Sequence, residues 1–187
     1  MVPPADALDH LGGALRRLRD RPGAPRWAGR ELQHLTLAFY GEVPQATVPR
    51  LVDALGAVVG PAVHLRLAGA GTFPERGDPR VLWVGVDGDV ETLAGLARNA
   101  AAAGRSAGVD VDRRPYRPHL TVGRWPAAAA ADRRIATALQ AYAGPYFAAA
   151  EVVLMRSLHG AAHRYETVAC WRGAPGDAVG THRPTPR

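Results

Sequence analysis

Between residues 5 and 19 (ADALDHLGGALRRLR) apolar side chains return every three or four positions. Leu8, Leu11, Leu15 and Leu18 predict an amphipathic helix, which Gly12 and Gly13 weaken. A stretch rich in Pro, Gly and Arg at 21–30 reads as loop. The period then shortens to two. In HLTLAFY (34–40), Leu35, Leu37 and Phe39 alternate with His34, Thr36 and Ala38. This predicts a strand whose apolar face turns inward and whose other face carries the polar pair, ended by Gly41 and Pro44. Helical spacing returns at 46–59 through Val48, Leu51, Val52 and Leu55. Strands are predicted at 62–70 and 80–87 around the turn-rich TFPERGDP, and a helix at 89–104. A loop of Gly, Asp, Arg and Pro leads into HLTV, a second such strand that begins near 117. An Ala-rich helix at about 128–142 and strands at 146–156 and 164–172 follow. The tail from 173 to 187 (GAPGDAVGTHRPTPR) is expected to be disordered.

The order is strand, helix, strand, strand, helix, and then strand, helix, strand, strand. His34 and His119 are 85 residues apart, and the same offset maps Thr72 onto Ser157 and Val81 onto Glu166, so the hairpins should also fall in register. The chain reads as an internal duplication. Two copies of one unit facing each other across a pseudo-twofold axis would bring His34 and His119 into a central cleft.

Alternation puts His34 and Thr36 on one strand face, as it does His119 and Thr121, while Leu35 and Leu120 point into the core. A cleft lined by both pairs holds two imidazoles and two hydroxyls and no carboxylate, an inventory that fits a phosphate ester. Hydroxyls donate to non-bridging oxygens, and imidazoles, with an ordinary pKa of about 6.5, handle protons near neutral pH. One ring can take a proton from water while the other gives one to a leaving alkoxide, which predicts a bell-shaped pH profile. A single His-Leu-Thr is ordinarily a strand histidine with a satisfied hydrogen bond, and it is the repetition that favours chemistry. Zinc wants three or four protein ligands, and neither motif has an Asp, Glu or Cys on its face, so no metal is expected. His10, on a helix, His64, in a strand, His159 and His163, in a hairpin turn, and His182, in the tail, read as solvated or structural. Cys170 alternates with apolar neighbours and is expected in the core.

Composition bounds this picture. The 187 residues suffice for one domain with its own core, taken as a two-lobed unit over 1–172. One cysteine excludes a disulfide framework, and no run approaches the roughly 20 apolar residues of a membrane span. No signal peptide opens the chain, so a soluble, cytoplasmic, monomeric protein with no membrane partner is expected. The 23 basic residues are all Arg, against 17 acidic ones, and the net charge of +6 favours an anionic partner such as a nucleic acid or nucleotide.

The segments HLTL (34–37), GTFP (71–74), RVLW (80–83) and PHLTVGR (118–124) together resemble the two-histidine phosphoesterase superfamily. Within it they are similar to the bacterial and archaeal RNA 2′,3′-cyclic phosphodiesterases, historically called 2′-5′ RNA ligases. The likeness runs from about residue 30 to 172. It implies an α+β fold, bilobal, with two antiparallel sheets around a central cleft and helices outside. It also implies hydrolysis of 2′,3′-cyclic phosphates at RNA 3′ ends to 2′-phosphates without metal or cofactor. On that carry-over His34 protonates the leaving O3′, His119 activates water, Thr36 and Thr121 bind the phosphate, and near-symmetry leaves the acid and base labels exchangeable. Arg124 is carried over as a phosphate ligand. Its counterpart by the offset is Phe39, and its odd spacing from His119 requires the strand to end, bulge or twist near Gly123. Tyr165 resembles a position near the cleft, and Tyr40 and Trp125 are candidates to stack on a base. Family members open with a short apolar strand, whereas this chain begins MVPPADALDHL, so a first strand is expected to be missing and a sheet edge exposed. The same site could instead seal 2′-5′ linkages, act on a small cyclic nucleotide, or hold RNA without catalysis.

Overall fold

The leucine stripe of the first segment forms the predicted helix: α1 spans Ala5–Arg16 and buries Ala7, Leu8, Leu11 and Leu15, with Leu18 buried just beyond it. The computed structural model describes residues 1–58, 60–127, 129–158 and 164–173. The tail from 174, including His182, and the turn histidines His159 and His163 lie outside the described residues. The remaining elements are β1 (Arg26–Trp27), α2 (Val48–Gly56), β2 (Val63–Phe73), β3 (Val81–Gly88), α3 (Val90–Ser106), β4 (His119–Arg124), α4 (Arg134–Leu139), β5 (Phe147–Ala149), β6 (Glu151–Leu158) and β7 (Arg164–Arg172). Short 3-10 turns at Arg30–Leu32 and Gln45–Thr47 precede the first motif and α2. No helix among the described residues is long and apolar enough to cross a membrane.

Five strands form one antiparallel sheet in the order β1-β4-β3-β2-β5, and β6 and β7 form a separate two-stranded sheet. The fold is thus α+β, with the expected two sheets. Leu65, Leu67, Leu82, Val84, Leu120 and Val122 line the buried face of the large sheet and meet the leucines of α1. A smaller cluster joins Leu51 and Leu55 of α2 to Ala100 and Ala103 of α3. Leu37 and Trp171 pack against both clusters.

Several elements differ from expectation for identifiable reasons. HLTLAFY is no strand: only Leu35 makes a ladder contact, an isolated bridge. Leu35 also exchanges two backbone hydrogen bonds with Met1, whose amine donates to the Leu35 carbonyl at 2.8 Å. Beyond Leu37 the alternation breaks. Ala38 and Tyr40 pack on the smaller cluster, and Phe39, expected inside, is 68% exposed. The Ala-rich helix shrinks to Arg134–Leu139, because Asp132 starts it late by accepting the Arg134 N–H. The expected strand at 146–156 is two strands in different sheets, since β5 pairs with β2 and β6 with β7. Cys170 is exposed, not in the core. It stands opposite Val153, on the face away from the packed Val152 and Trp171 pair. The two hairpins are not in strict register either: Thr72 pairs with Leu82, whereas Ser157 pairs with Tyr165 and not with Thr167.

Candidate active site

The copies of the motif meet through their middle residues. Leu35 and Leu120 form an antiparallel bridge, and both are buried. Such pairing sets His34 across from Thr121 and Thr36 across from His119. With both leucines pointing into the core, alternation sends the four polar side chains to the opposite face. The pseudo-twofold axis therefore passes through the Leu35 and Leu120 pair. A charge on His119 disfavours one on His34, as expected of rings sharing a cleft. The hairpins are exchanged about this axis. β4, the second motif, pairs with β3 of the first copy's hairpin, while His34 meets Tyr165 of the second hairpin edge-on, at 5.0 Å between centroids.

His119 is firmly held. Its Nδ1–H donates to the Arg117 carbonyl at 2.7 Å, which leaves the Nε2 lone pair free to accept. The edges of Phe73 and Trp83 approach its ring at 5.0 and 6.3 Å. The Arg117 guanidinium lies over both aromatic rings, 5.4 and 5.6 Å from their centroids, and pairs with Glu75. Glu75 belongs to a loop that Arg133 fastens by donating to Thr72 Oγ1 at 2.5 Å and to the Pro74 carbonyl at 3.0 Å. Gly71 makes room for the platform: a Cβ there would collide with the Trp83 ring.

Arg124 reaches the face of His119 by the means its spacing required. Between Leu82 and Trp83 of β3 the partner on β4 jumps from Gly123 to Thr121, so β4 carries one extra residue. Val122 and Gly123 are consecutively buried, and Arg124 emerges exposed with its charge felt at His119. Gly123 is needed because a Cβ there would lie 2.7 Å from the Pro25 ring.

Burial is the main cause that lowers both imidazoles from the ordinary value. At His119 the hydrogen bond to the Arg117 backbone opposes the shift, and the charges of Arg117 and Arg124 add to it. At His34 the Met1 ammonium and His119 add to it, and the Leu32 backbone opposes it. His34 Nδ1 is nonetheless buried without a partner in hydrogen-bond geometry.

The structure thus brings together His34, Thr36, His119, Thr121, Arg124 and Tyr165. It does not bring in two aromatic candidates. Tyr40 donates its hydroxyl to the Ala100 carbonyl, and Trp125 is buried with Nε1–H donated to the Gly23 carbonyl, so both are packing residues. His10 sits exposed on α1 beside the Tyr142 hydroxyl, and His64 is exposed on β2. Phe73, Glu75, Trp83 and Arg117 escaped sequence reasoning as site residues, although GTFP and RVLW contain two of them. Phe73 and Trp83 share the strand face of Thr121, which shows only once β2, β3 and β4 are paired, and Glu75 and Arg117 lie in loops outside the strands. Among the described residues no group of three or more His, Cys, Asp or Glu side chains could hold a metal ion.

Residues 4–161 match the family model of the 2′-5′ RNA ligase superfamily. An RNA 2′,3′-cyclic phosphodiesterase of Geobacillus stearothermophilus is 38% identical over 159 residues, covering 82% of this chain and 50% of that protein. The chain therefore spans about half the length of that relative. Among solved structures, a Thermus thermophilus protein shares the fold with a TM-score of 0.77 at 23% identity, over 94% of this chain and 96% of that one. E. coli LigT complexed with 3′-AMP superposes with a TM-score of 0.72 at 25% identity, over 91% and 92% of the two chains.

Proposed function

This chain belongs to the 2′-5′ RNA ligase superfamily, and on that footing we propose that it hydrolyses RNA 2′,3′-cyclic phosphate ends to 2′-phosphates, without metal, using His34 and His119 as acid and base. The Leu35 and Leu120 pairing carries this reading, because it offers both histidines and both threonines to one ligand from opposite sides. The 3′-AMP held by E. coli LigT supports a nucleotide as that ligand.

In the proposed step His119 Nε2 takes a proton from water as the water oxygen bonds to phosphorus. The P–O3′ bond breaks, and His34 gives its proton to O3′. A 3′-hydroxyl and a 2′-phosphate result, and the two histidines have exchanged protonation states. The Arg117 carbonyl suits His119 to the base role by fixing the tautomer with Nε2 unprotonated. Both rings are lowered by burial, so in the free protein the neutral forms gain ground. The negative phosphate favours uptake of a solvent proton by His34, whose side of the cleft lacks an arginine corresponding to Arg124. Thr36 and Thr121 donate to the non-bridging oxygens, Arg124 neutralises them, and Tyr165 lines the His34 side.

The test incubates purified protein in EDTA with an RNA ending in a 2′,3′-cyclic phosphate and separates the product phosphates. Accumulation of 2′-phosphate is expected, with losses on the order of 10² to 10⁴ in His34→Ala and His119→Ala. A 3′-phosphate product, dependence on a divalent ion, or full activity in either variant would overturn the reading.

A further inference from the structure

β1 and β4 place two arginines directly opposite each other. Arg26 is the Cα partner of Arg124, and Trp27 that of Gly123. Directly paired residues of antiparallel strands share a face at a Cα separation of about 5 Å. Trp27 packs against the core, so Arg26 emerges on the other face, where Arg124 stands beside His119. Like charges in this relation destabilise a sheet unless something negative lies between or over them.

No protein carboxylate does so: among the described residues neither arginine side chain has a hydrogen bond or an ion pair, and both are exposed. Their neighbours are engaged. Arg80 donates to the Pro126 carbonyl, Arg117 pairs with Glu75, Arg133 holds the 74–77 loop, and Arg134 pairs with Asp132. Arg26 and Arg124 thus stand as two adjacent cations without a protein partner at the edge where β4 leaves the histidine cleft.

We propose that Arg26 is a phosphodiester subsite, one step outward from Arg124, which takes the phosphate preceding the terminal nucleotide of a single-stranded RNA. The idea rests on the reading of the cleft as a site for RNA ends. Arg124 faces the terminal phosphate from beside His119, and the next backbone phosphate meets Arg26 on the edge strand. A strand longer than one nucleotide gains this contact, and a mononucleotide cannot. The subsite accordingly separates RNA ends from free cyclic nucleotides without reading any base.

Binding, measured without turnover, tests the subsite independently of the proposed reaction. The full chain is titrated with a labelled trinucleotide RNA ending in a 2′-phosphate and with a nucleoside 2′-phosphate, at several salt concentrations. Arg26→Gln should weaken the trinucleotide about 5- to 10-fold, reduce its salt slope by about 0.7, as for one lost contact to a single strand, and leave the mononucleotide within about twofold. Arg26→Lys, which keeps the charge, should keep the salt slope. Equal loss on both probes, no loss on either, or a wild type that binds the two probes alike would overturn the subsite. Absence of hydrolysis by a wild type that still shows the difference would instead remove the proposed reaction and leave the subsite standing.

Discussion

The same three residues, His-Leu-Thr, are supported in two different ways. In the second copy they lie on a continuous strand, His119 is fixed at Nδ1 by the Arg117 carbonyl, and Phe73 and Trp83 close around it. In the first copy a single bridge at Leu35 replaces the strand, and His34 Nδ1 is buried beside the Leu32 backbone but outside hydrogen-bond geometry. Arg124 and Phe39, equivalent by the offset, are a cation at the cleft and a 68% exposed ring. Duplication therefore supplied matching chemical groups, and the surroundings made them unequal. A base benefits from one fixed tautomer, whereas an acid must be protonated in the bound complex, which the substrate's negative charge favours.

The largest expected effect separates these roles. His119→Ala should lose activity, on the order of 10² to 10⁴, on RNA cyclic phosphates and on an activated aryl phosphodiester alike, because both need an activated water. His34→Ala should lose as much on the RNA substrate but far less on the aryl ester, whose leaving group departs without a proton. Initial rates on the two substrates decide it. The opposite pattern would exchange the roles, and equal losses on both substrates would break the comparison.

Next comes the support itself. Gly71→Ala pushes a methyl group into the Trp83 ring, which should destabilise the fold by about 1–3 kcal/mol and, through a displaced His119, lower kcat/KM on the order of 10- to 100-fold. The offset maps Gly71 onto Arg156, an exposed residue that stands opposite Glu166 at 3.8 Å. Arg156→Ala should change stability by only about 0–1 kcal/mol and leave the rate unchanged. Thermal melts and initial rates on the pair would show whether the hairpins support their histidines as differently as the contacts suggest.

What could be read from the chain follows from the range of the interactions involved. His34, Thr36, His119 and Thr121 were legible because alternation and repetition are local, and the α1 leucines were legible for the same reason. The exchange of hairpins was not, since nothing in HLTV says which neighbour its strand will pair with. β1 has two residues, too few to show a period, and hid in a loop. Alternation across 146–156 is the same whether or not the chain changes sheets at Ala150, so the division into β5 and β6 left no mark. Arg117 acts on His119 through its backbone carbonyl, which every residue type possesses. Arg124 lay between these cases: its spacing required the strand to end, bulge or twist, and of these the extra residue on β4 is the bulge.

The smallest effects concern protons. Arg124 is a charge that disfavours protonated His119, and no corresponding cation is contributed by Phe39 in the other copy. Arg124→Gln should raise the His119 pKa and move the acidic limb of kcat/KM upward, in addition to weakening substrate binding. Phe39→Gln should leave that limb in place. Stability responds to the same burial. A histidine whose folded pKa lies below its unfolded value of about 6.5 binds more protons when unfolded, so its contribution is full above that value and lost as pH falls through it. The wild-type Tm should therefore drop as pH falls below about 6.5, in addition to the loss that the buried Met1 amine, lowered to about 6, brings as pH falls below its ordinary 8.0. His34→Asn and His119→Asn should each flatten the drop, because asparagine takes up no proton when the cleft unfolds. A drop unchanged in both variants would mean that the two buried imidazoles are not what makes the fold acid-sensitive.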